Sequence, residues 1–108
     1  MIMGLSFKEN CPDLRNTKVV DIIAELREYG LEVDVYDPWV DADDARREYG
    51  LETVPYPAER HYDGIVLAVG HREFIDMEGT QIRSFMKDEA ILFDVKNILP
   101  PGESDGSL

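Results

Sequence analysis

Positively charged residues follow three of the four predicted strands of this chain. Lys8 and Arg15 follow the first predicted strand, His71 and Arg72 the third, and Lys96 the fourth. Parallel strands bring their carboxyl ends to one edge of a sheet, so these side chains should share that edge. Cationic side chains bind phosphate and carboxylate groups, and only 11 of the 108 residues are Lys or Arg. The placement therefore indicates an anion-binding site.

An alternative interpretation leaves these cations without a ligand. Asp13 is near enough in sequence to pair with Arg15, Glu9 adjoins Lys8, and Lys96 could simply be exposed. An aspartate just before a helix can also accept hydrogen bonds from loop amides. Spacing alone leaves both interpretations open.

Cys11 is the candidate nucleophile. A reactive thiol needs a neighbouring histidine, cation or helix N-terminus, and only Lys8 and a predicted helix start are near Cys11 in sequence. A free cysteine is more often a small buried side chain. His71 is expected to be a loop histidine bonded to backbone, and His61 a surface residue. We therefore predict no catalytic residue, and two histidines without metal-ligand spacing predict no metal site.

The cations are carried by an alternating series of strands and helices. Strands are predicted at 1–7, 31–36, 64–69 and 90–94, helices at 17–29 and 41–49, and one or two short helical turns within 74–86. This order predicts an α/β fold, a Rossmann-like three-layer sandwich whose parallel sheet of about four to five strands has helices on both faces. Residues 1–99 should form one domain, and 100–108 a disordered tail rich in Pro, Gly and Ser.

Bulk composition narrows the class of protein. The net charge of -12 and the pI near 4.4 would repel a nucleic acid backbone. No apolar run approaches the ~20 residues that span a bilayer, and a single cysteine fits a reducing compartment. These features predict an acidic cytoplasmic domain.

Two glycine-rich loops are missing from the sequence. No Gly-x-Gly-x-x-Gly follows the first predicted strand, and no lysine-bearing phosphate loop occurs anywhere. Such loops hold a pyrophosphate against a helix N-terminus. The chain by itself should therefore not bind a dinucleotide or ATP in the usual manner.

Four motifs lie at or beside the predicted strand ends. They are Gly4-Leu5-Ser6-Phe7-Lys8-Glu9-Asn10 with Asp13-x-Arg15, Val35-Tyr36-Asp37-Pro38, Ala68-Val69-Gly70-His71, and Phe93-Asp94-x-Lys96. Together they resemble the C-terminal domain of the UDP-glucose/GDP-mannose dehydrogenase family, over roughly residues 2–99. The run from Lys8 to Thr17 is most similar to the branch that oxidises UDP-N-acetylhexosamines for bacterial surface polysaccharide.

The resemblance implies roles for individual residues. Phe7 and Lys8 would contact the UDP-sugar, and Lys96 would touch the same substrate at a position where some members have arginine. Arg15 would reach NAD across a domain interface. The family's catalytic cysteine lies upstream of this domain, so Cys11 does not correspond to it.

The resemblance also implies a larger enzyme. Its members join an NAD-binding domain and a helical middle domain to this one, and they oxidise the sugar C6 alcohol to a carboxylate. The chain alone is therefore expected to bind a UDP-sugar, UDP-N-acetylhexosamine or UDP-glucose, without turning it over. The full-length enzyme is expected to be a homo-oligomer with no nucleic acid or membrane partner.

Two other classes of protein remain as alternatives. A receiver domain has a similar order of elements, but it needs an acidic pair after the first strand and an aspartate after the third. Lys8 and Gly70 occupy those neighbourhoods. The second alternative is a non-catalytic module of α/β fold that dimerises or binds a partner.

Overall fold

The protein is an open parallel sheet with helices on both of its faces. The structure, a computed structural model, describes residues 1–107 apart from the side chain of Glu78. The elements are β1 (Ile2–Met3), α1 (Val19–Glu28), β2 (Val35–Tyr36), α2 (Ala42–Tyr49), β3 (Tyr62–Leu67), α3 (Arg72–Arg83), β4 (Met86–Asp94) and β5 (Gly106–Ser107). The strand order is β2-β1-β3-β4-β5, with every neighbouring pair parallel. The predicted α/β class is confirmed.

Alternating strand residues divide the interior into two cores. Ile2 packs with α1, whereas its neighbour Met3 belongs to the core beneath α3. Successive side chains of a strand point to opposite faces of the sheet. The core beneath α3 includes the fully buried Phe74 and Ile82, and each such side chain contributes about 1.5–3 kcal/mol on burial.

The first strand ends earlier than the predicted strand 1–7, because the chain turns at Gly4. This glycine has φ 102°, and a Cβ built on it would lie 2.6 Å from the Val69 Cβ and 2.8 Å from the Val69 nitrogen. Only a glycine fits so close to the neighbouring backbone at a positive φ. The next residues leave the sheet and form the loop that leads to α1.

The segment after β3 is one helix instead of the predicted short turns. The helix α3 runs unbroken through Gly79. A Cβ on that glycine would lie 2.7 Å from Oε2 of Glu103, so the missing side chain makes room for the C-terminal segment. The strand β4 also begins at Met86, four residues before the predicted start at residue 90.

The C-terminal residues 100–107 are not the disordered tail that their composition predicts. Gly106–Ser107 pair in parallel with the end of β4, and the Leu92 N–H donates to Asp105 Oδ2 at 2.8 Å. Arg83 Nη2 donates to the Glu103 carbonyl at 2.9 Å. The edge of β4 has backbone groups that need partners, and the tail supplies them. Residue 108 lies outside the described part of the chain.

Candidate functional site

The loops after β1, β3 and β4 meet at the carboxyl edge of the sheet. The strand β3 lies between the other two, so β1 and β4 are two strand spacings, about 10 Å, apart. Lys8 lies in the first of these loops and Lys96 in the last. Lys96 is beside the β3 loop, since its Cβ would lie 4.0 Å from a Cβ built on Gly70.

Three of the four residues predicted to bind ligands are exposed and unpaired. The Phe7 side chain is 55% exposed, and Lys8 and Lys96 are also exposed. In the part of the chain that the structure describes, no carboxylate lies within ion-pair distance of either lysine. The expected alternative pair of Lys8 with Glu9 does not form, so both ammonium groups are available to an anion.

Arg15, the fourth predicted residue, is paired with Asp13. Its Nε and Nη2 donate to the two carboxylate oxygens, each at 3.1 Å. The side-chain and backbone hydrogen bonds from Arg15 lower the pKa of Asp13, and the same pairing raises the pKa of Arg15. The Arg15 side chain is 81% exposed, and solvent-exposed ion pairs contribute little to stability. An anionic ligand could therefore displace Asp13 at small cost.

A buried carboxylate for which no role was predicted, Asp37, follows β2 at the same edge of the sheet. Asp37 Oδ2 accepts from the Leu5 N–H at 2.7 Å, the Ser6 N–H at 3.0 Å and His71 Nε2 at 2.9 Å. Its Oδ1 accepts from the Trp39 N–H at 2.8 Å. Burial raises the pKa of Asp37, but the hydrogen bonds from His71 and the two amides outweigh it, and the pKa lies below its ordinary value.

His71 joins this carboxylate to the first loop. Nδ1 accepts from the Asn10 N–H at 2.9 Å, which confirms the prediction of a histidine bonded to backbone. The sequence signalled no carboxylate or serine partner, yet Asp37 and the Ser6 hydroxyl both lie at Nε2, the latter at 3.2 Å. A catalytic triad requires the two partners at opposite ring nitrogens. With 0% exposure as well, His71 is positioned for structure and not for attack on a substrate.

A second buried aspartate shapes the loop after β4. Asp94 Oδ2 accepts from the Leu99 N–H at 2.9 Å, which closes the turn that carries Lys96. Asp94 is buried and belongs to the Phe-Asp-x-Lys motif quoted above. The motif thus combines one residue that fixes the turn with one cation that the turn exposes.

The remaining candidates lie apart from this arrangement. Cys11 is free and half-buried, and both nitrogens of His71 have other partners. His61 is exposed and makes an edge-to-face contact with Tyr62 at the start of β3. In the described part of the chain, no three His, Cys, Asp or Glu side chains are grouped to hold a metal ion. None of the described helices has the length and apolar character to cross a membrane.

The fold is an open parallel α/β domain, a class of protein that binds its ligands outside the carboxyl ends of its strands. Comparison with known families identifies which one. The model of the UDP-glucose/GDP-mannose dehydrogenase family, UDP binding domain, matches residues 1–101, and the chain belongs to this family. The resemblance of the four motifs is thereby confirmed.

Individual relatives are similar over nearly the whole chain. UDP-N-acetyl-D-glucosamine 6-dehydrogenase of Pseudomonas aeruginosa is 56% identical over 105 residues, which are 97% of this chain and 25% of that protein. The Salmonella typhi protein of the same name is 50% identical over the same shares of each chain. The solved UDP-D-ManNAc dehydrogenase of Pyrococcus horikoshii superposes with a TM-score of 0.74 at 26% identity, covering 98% of this chain and 24% of that one. The chain thus spans about a quarter of the length of these relatives.

Proposed function

We propose that this chain is the UDP-sugar-binding domain of an NAD-dependent nucleotide-sugar 6-dehydrogenase. The observation that carries the proposal is the pair of exposed, unpaired lysines, Lys8 and Lys96, at strand ends on one edge of a chain with net charge -12. A UDP-sugar has a pyrophosphate, and ammonium groups bind phosphate oxygens through charge-assisted hydrogen bonds. Membership in a UDP binding domain family supports the same ligand.

The four predicted residues divide between two ligands. Lys8 and Lys96 neutralise the pyrophosphate or hold sugar hydroxyls, and Phe7 supplies an apolar wall to the pocket. Arg15 turns from Asp13 towards NAD, which a neighbouring domain of the enzyme binds. The substrate is a UDP-N-acetylhexosamine or UDP-glucose, and names of the relatives support both the sugar class and the oxidation.

The full-length enzyme oxidises the C6 alcohol of its sugar to a carboxylate, in the cytoplasm, for surface polysaccharide. The domain, whose sheet extends to Gly106–Ser107, is one folded unit of that enzyme, and the NAD-binding and middle domains are its partners in a homo-oligomer. Because the chain has no dinucleotide-binding glycine loop, it does not turn over substrate by itself.

The proposal is tested by titrating the isotopically labelled chain with UDP and with UDP-N-acetylglucosamine. We expect amide shifts confined to residues 6–16 and 93–97. Lys8→Ala and Lys96→Ala should each weaken binding by at least about tenfold, since a hydrogen bond to a charged group contributes about 1.5–3 kcal/mol. Lys87→Ala is the matched control, because Lys87 pairs with Asp63 near the opposite end of β4.

Two results would contradict the proposal. Shifts scattered away from the carboxyl edge would place the ligand elsewhere. Equal losses of UDP affinity in Lys87→Ala and Lys8→Ala would mean that the affinity depends only on the net charge of the chain. Sedimentation with and without UDP separates the alternative, a partner-binding module, because such a module would associate without any effect of the nucleotide.

A further inference from the structure

The imidazole of His71 contacts both ends of a short loop segment, residues 6–10. Nε2 lies 3.2 Å from the Ser6 hydroxyl, and Nδ1 lies 2.9 Å from the Asn10 nitrogen. Phe7 and Lys8 lie between these two contacts and are exposed. The two residues that face the ligand are therefore held from behind by a ring that is itself completely buried.

The hydrogen bonds fix the tautomer of His71. Nδ1 accepts from a backbone N–H, so it carries no proton, and the ring proton is on Nε2. From there it is donated to Asp37 Oδ2 at 2.9 Å. The Ser6 hydroxyl donates to the Lys8 carbonyl at 3.0 Å, so the segment is also closed internally. Nδ1 of His71 is thus an acceptor for the loop backbone, and Nε2 is a donor to Asp37.

Asn10 fixes the far end of the segment a second time. Its Oδ1 accepts from the Arg72 N–H at 2.8 Å, and Arg72 is the first residue of α3. The first amides of a helix have no partner within the helix, so the loop caps α3 from outside. Asn10 has φ 54°, a conformation that asparagine adopts more readily than most residues.

We infer that His71 is a positioning residue for nucleotide-sugar binding, acting through its Nδ1 contact to hold the 6–10 segment in the binding conformation. The inference rests on the proposed function, since Phe7 and Lys8 are the residues that it positions. A segment that is already ordered has less conformational entropy to lose when the ligand arrives. Releasing the Asn10 end of the segment should therefore weaken binding even though His71 touches no ligand, whereas the Ser6 end stays held by the Ser6 N–H to Asp37 and the Ser6 hydroxyl to the Lys8 carbonyl.

Two substitutions remove the hydrogen bonds of the two ring nitrogens one at a time. His71→Asn retains an acceptor oxygen near the Nδ1 position and removes the donor to Asp37. His71→Gln retains a donor near the Nε2 position and removes the acceptor for Asn10. Both variants lose the ring, so each is the matched control of the other. The measurements are the urea midpoint, backbone order parameters for residues 7–9, and the affinity for UDP.

We expect one variant to lose UDP affinity and the other to lose stability. His71→Gln should lower the order parameters of residues 7–9 below about 0.6 and weaken UDP binding about tenfold, which corresponds to about 1.4 kcal/mol. His71→Asn should be the less stable variant, because Asp37 loses a donor, but its UDP affinity should stay within about threefold. A purely structural role would instead make the affinity follow the urea midpoint in both variants.

Rigid residues 7–9 in His71→Gln, or affinity that follows stability, would overturn the inference. A wild-type chain that fails to bind UDP would refute the proposed function, whereas the order parameters would still decide the role of Nδ1. Hydrogen exchange of the wild-type Asn10 amide needs no variant. Protection of this amide supports the contact, and exchange as fast as in an open loop contradicts it.

Discussion

Replacing Asp37 by asparagine should cost a large part of the free energy of unfolding. The carboxylate accepts three hydrogen bonds at Oδ2 and one at Oδ1. Asparagine has one oxygen, and if it replaces Oδ2, its NH2 group faces the Trp39 N–H. A hydrogen bond to a charged group contributes about 1.5–3 kcal/mol, and an unpaired buried donor costs about 1–3 kcal/mol. We expect Asp37→Asn to lose about 3 kcal/mol of stability.

Urea unfolding followed by circular dichroism measures this loss directly. At a slope of about 2 kcal/mol per molar, the midpoint should fall by about 1.5 M. Asp63→Asn is the control, because Asp63 is 89% exposed and pairs with Lys87 at the surface; its midpoint should barely move. If Asp37→Asn unfolds within about 1 kcal/mol of the wild type, the buried carboxylate does not organise the edge as argued.

Two further predictions concern the loss of stability at low pH and the turn at Gly4. The pKa of Asp37 is lowered in the folded chain, so its contribution is present above the ordinary carboxyl pKa of about 4 and is lost as pH falls through the folded value. Acid titrations should therefore show a shallower loss of stability in Asp37→Asn than in the wild type. Gly4→Ala should lose about 3 kcal/mol or more, because its Cβ would overlap Val69, whereas Gly30→Ala, with φ 85° and nothing within 4 Å, should lose about 1–2 kcal/mol. Thermal melts of the two alanine variants test this, and equal losses would contradict the overlap.

The sequence predicted most helices and strands because the hydrogen bonds and apolar patterns that form them involve residues close together in the chain. Helix α2 begins after Asp41, whose carboxylate accepts from the amides of Asp43 and Asp44, as expected for a charged helix N-terminus. The tail was mispredicted because its order depends on the edge of β4, which no nearby residue reveals. The continuous helix α3 was also not predicted, because a glycine such as Gly79 weakens a helix. A side chain at this position would collide with Glu103, a contact that the sequence does not reveal.

The candidate site divides in the same way. Exposed cations after strand ends can be predicted, because strand ends are visible in the sequence and parallel connections place them together. Asp37 and His71 are 34 residues apart, and their hydrogen bond depends on the strand order. The available signal was that each residue follows a predicted strand, so both were expected at the same carboxyl edge of the sheet. Which polar residues at that edge meet could be decided only from the strand order, in which β2 and β3 flank β1.

The surroundings of Trp39 give the chain an internal optical probe. It is the only tryptophan in the sequence, its ring stacks on His71 with centroids 6.1 Å apart, and the Arg72 guanidinium lies 4.9 Å above it. The indole N–H donates to Glu73 Oε1 at 2.8 Å. Indole emission responds to nearby charge and to the polarity of its partners, so the fluorescence of the unlabelled protein can follow events at the carboxyl edge in real time.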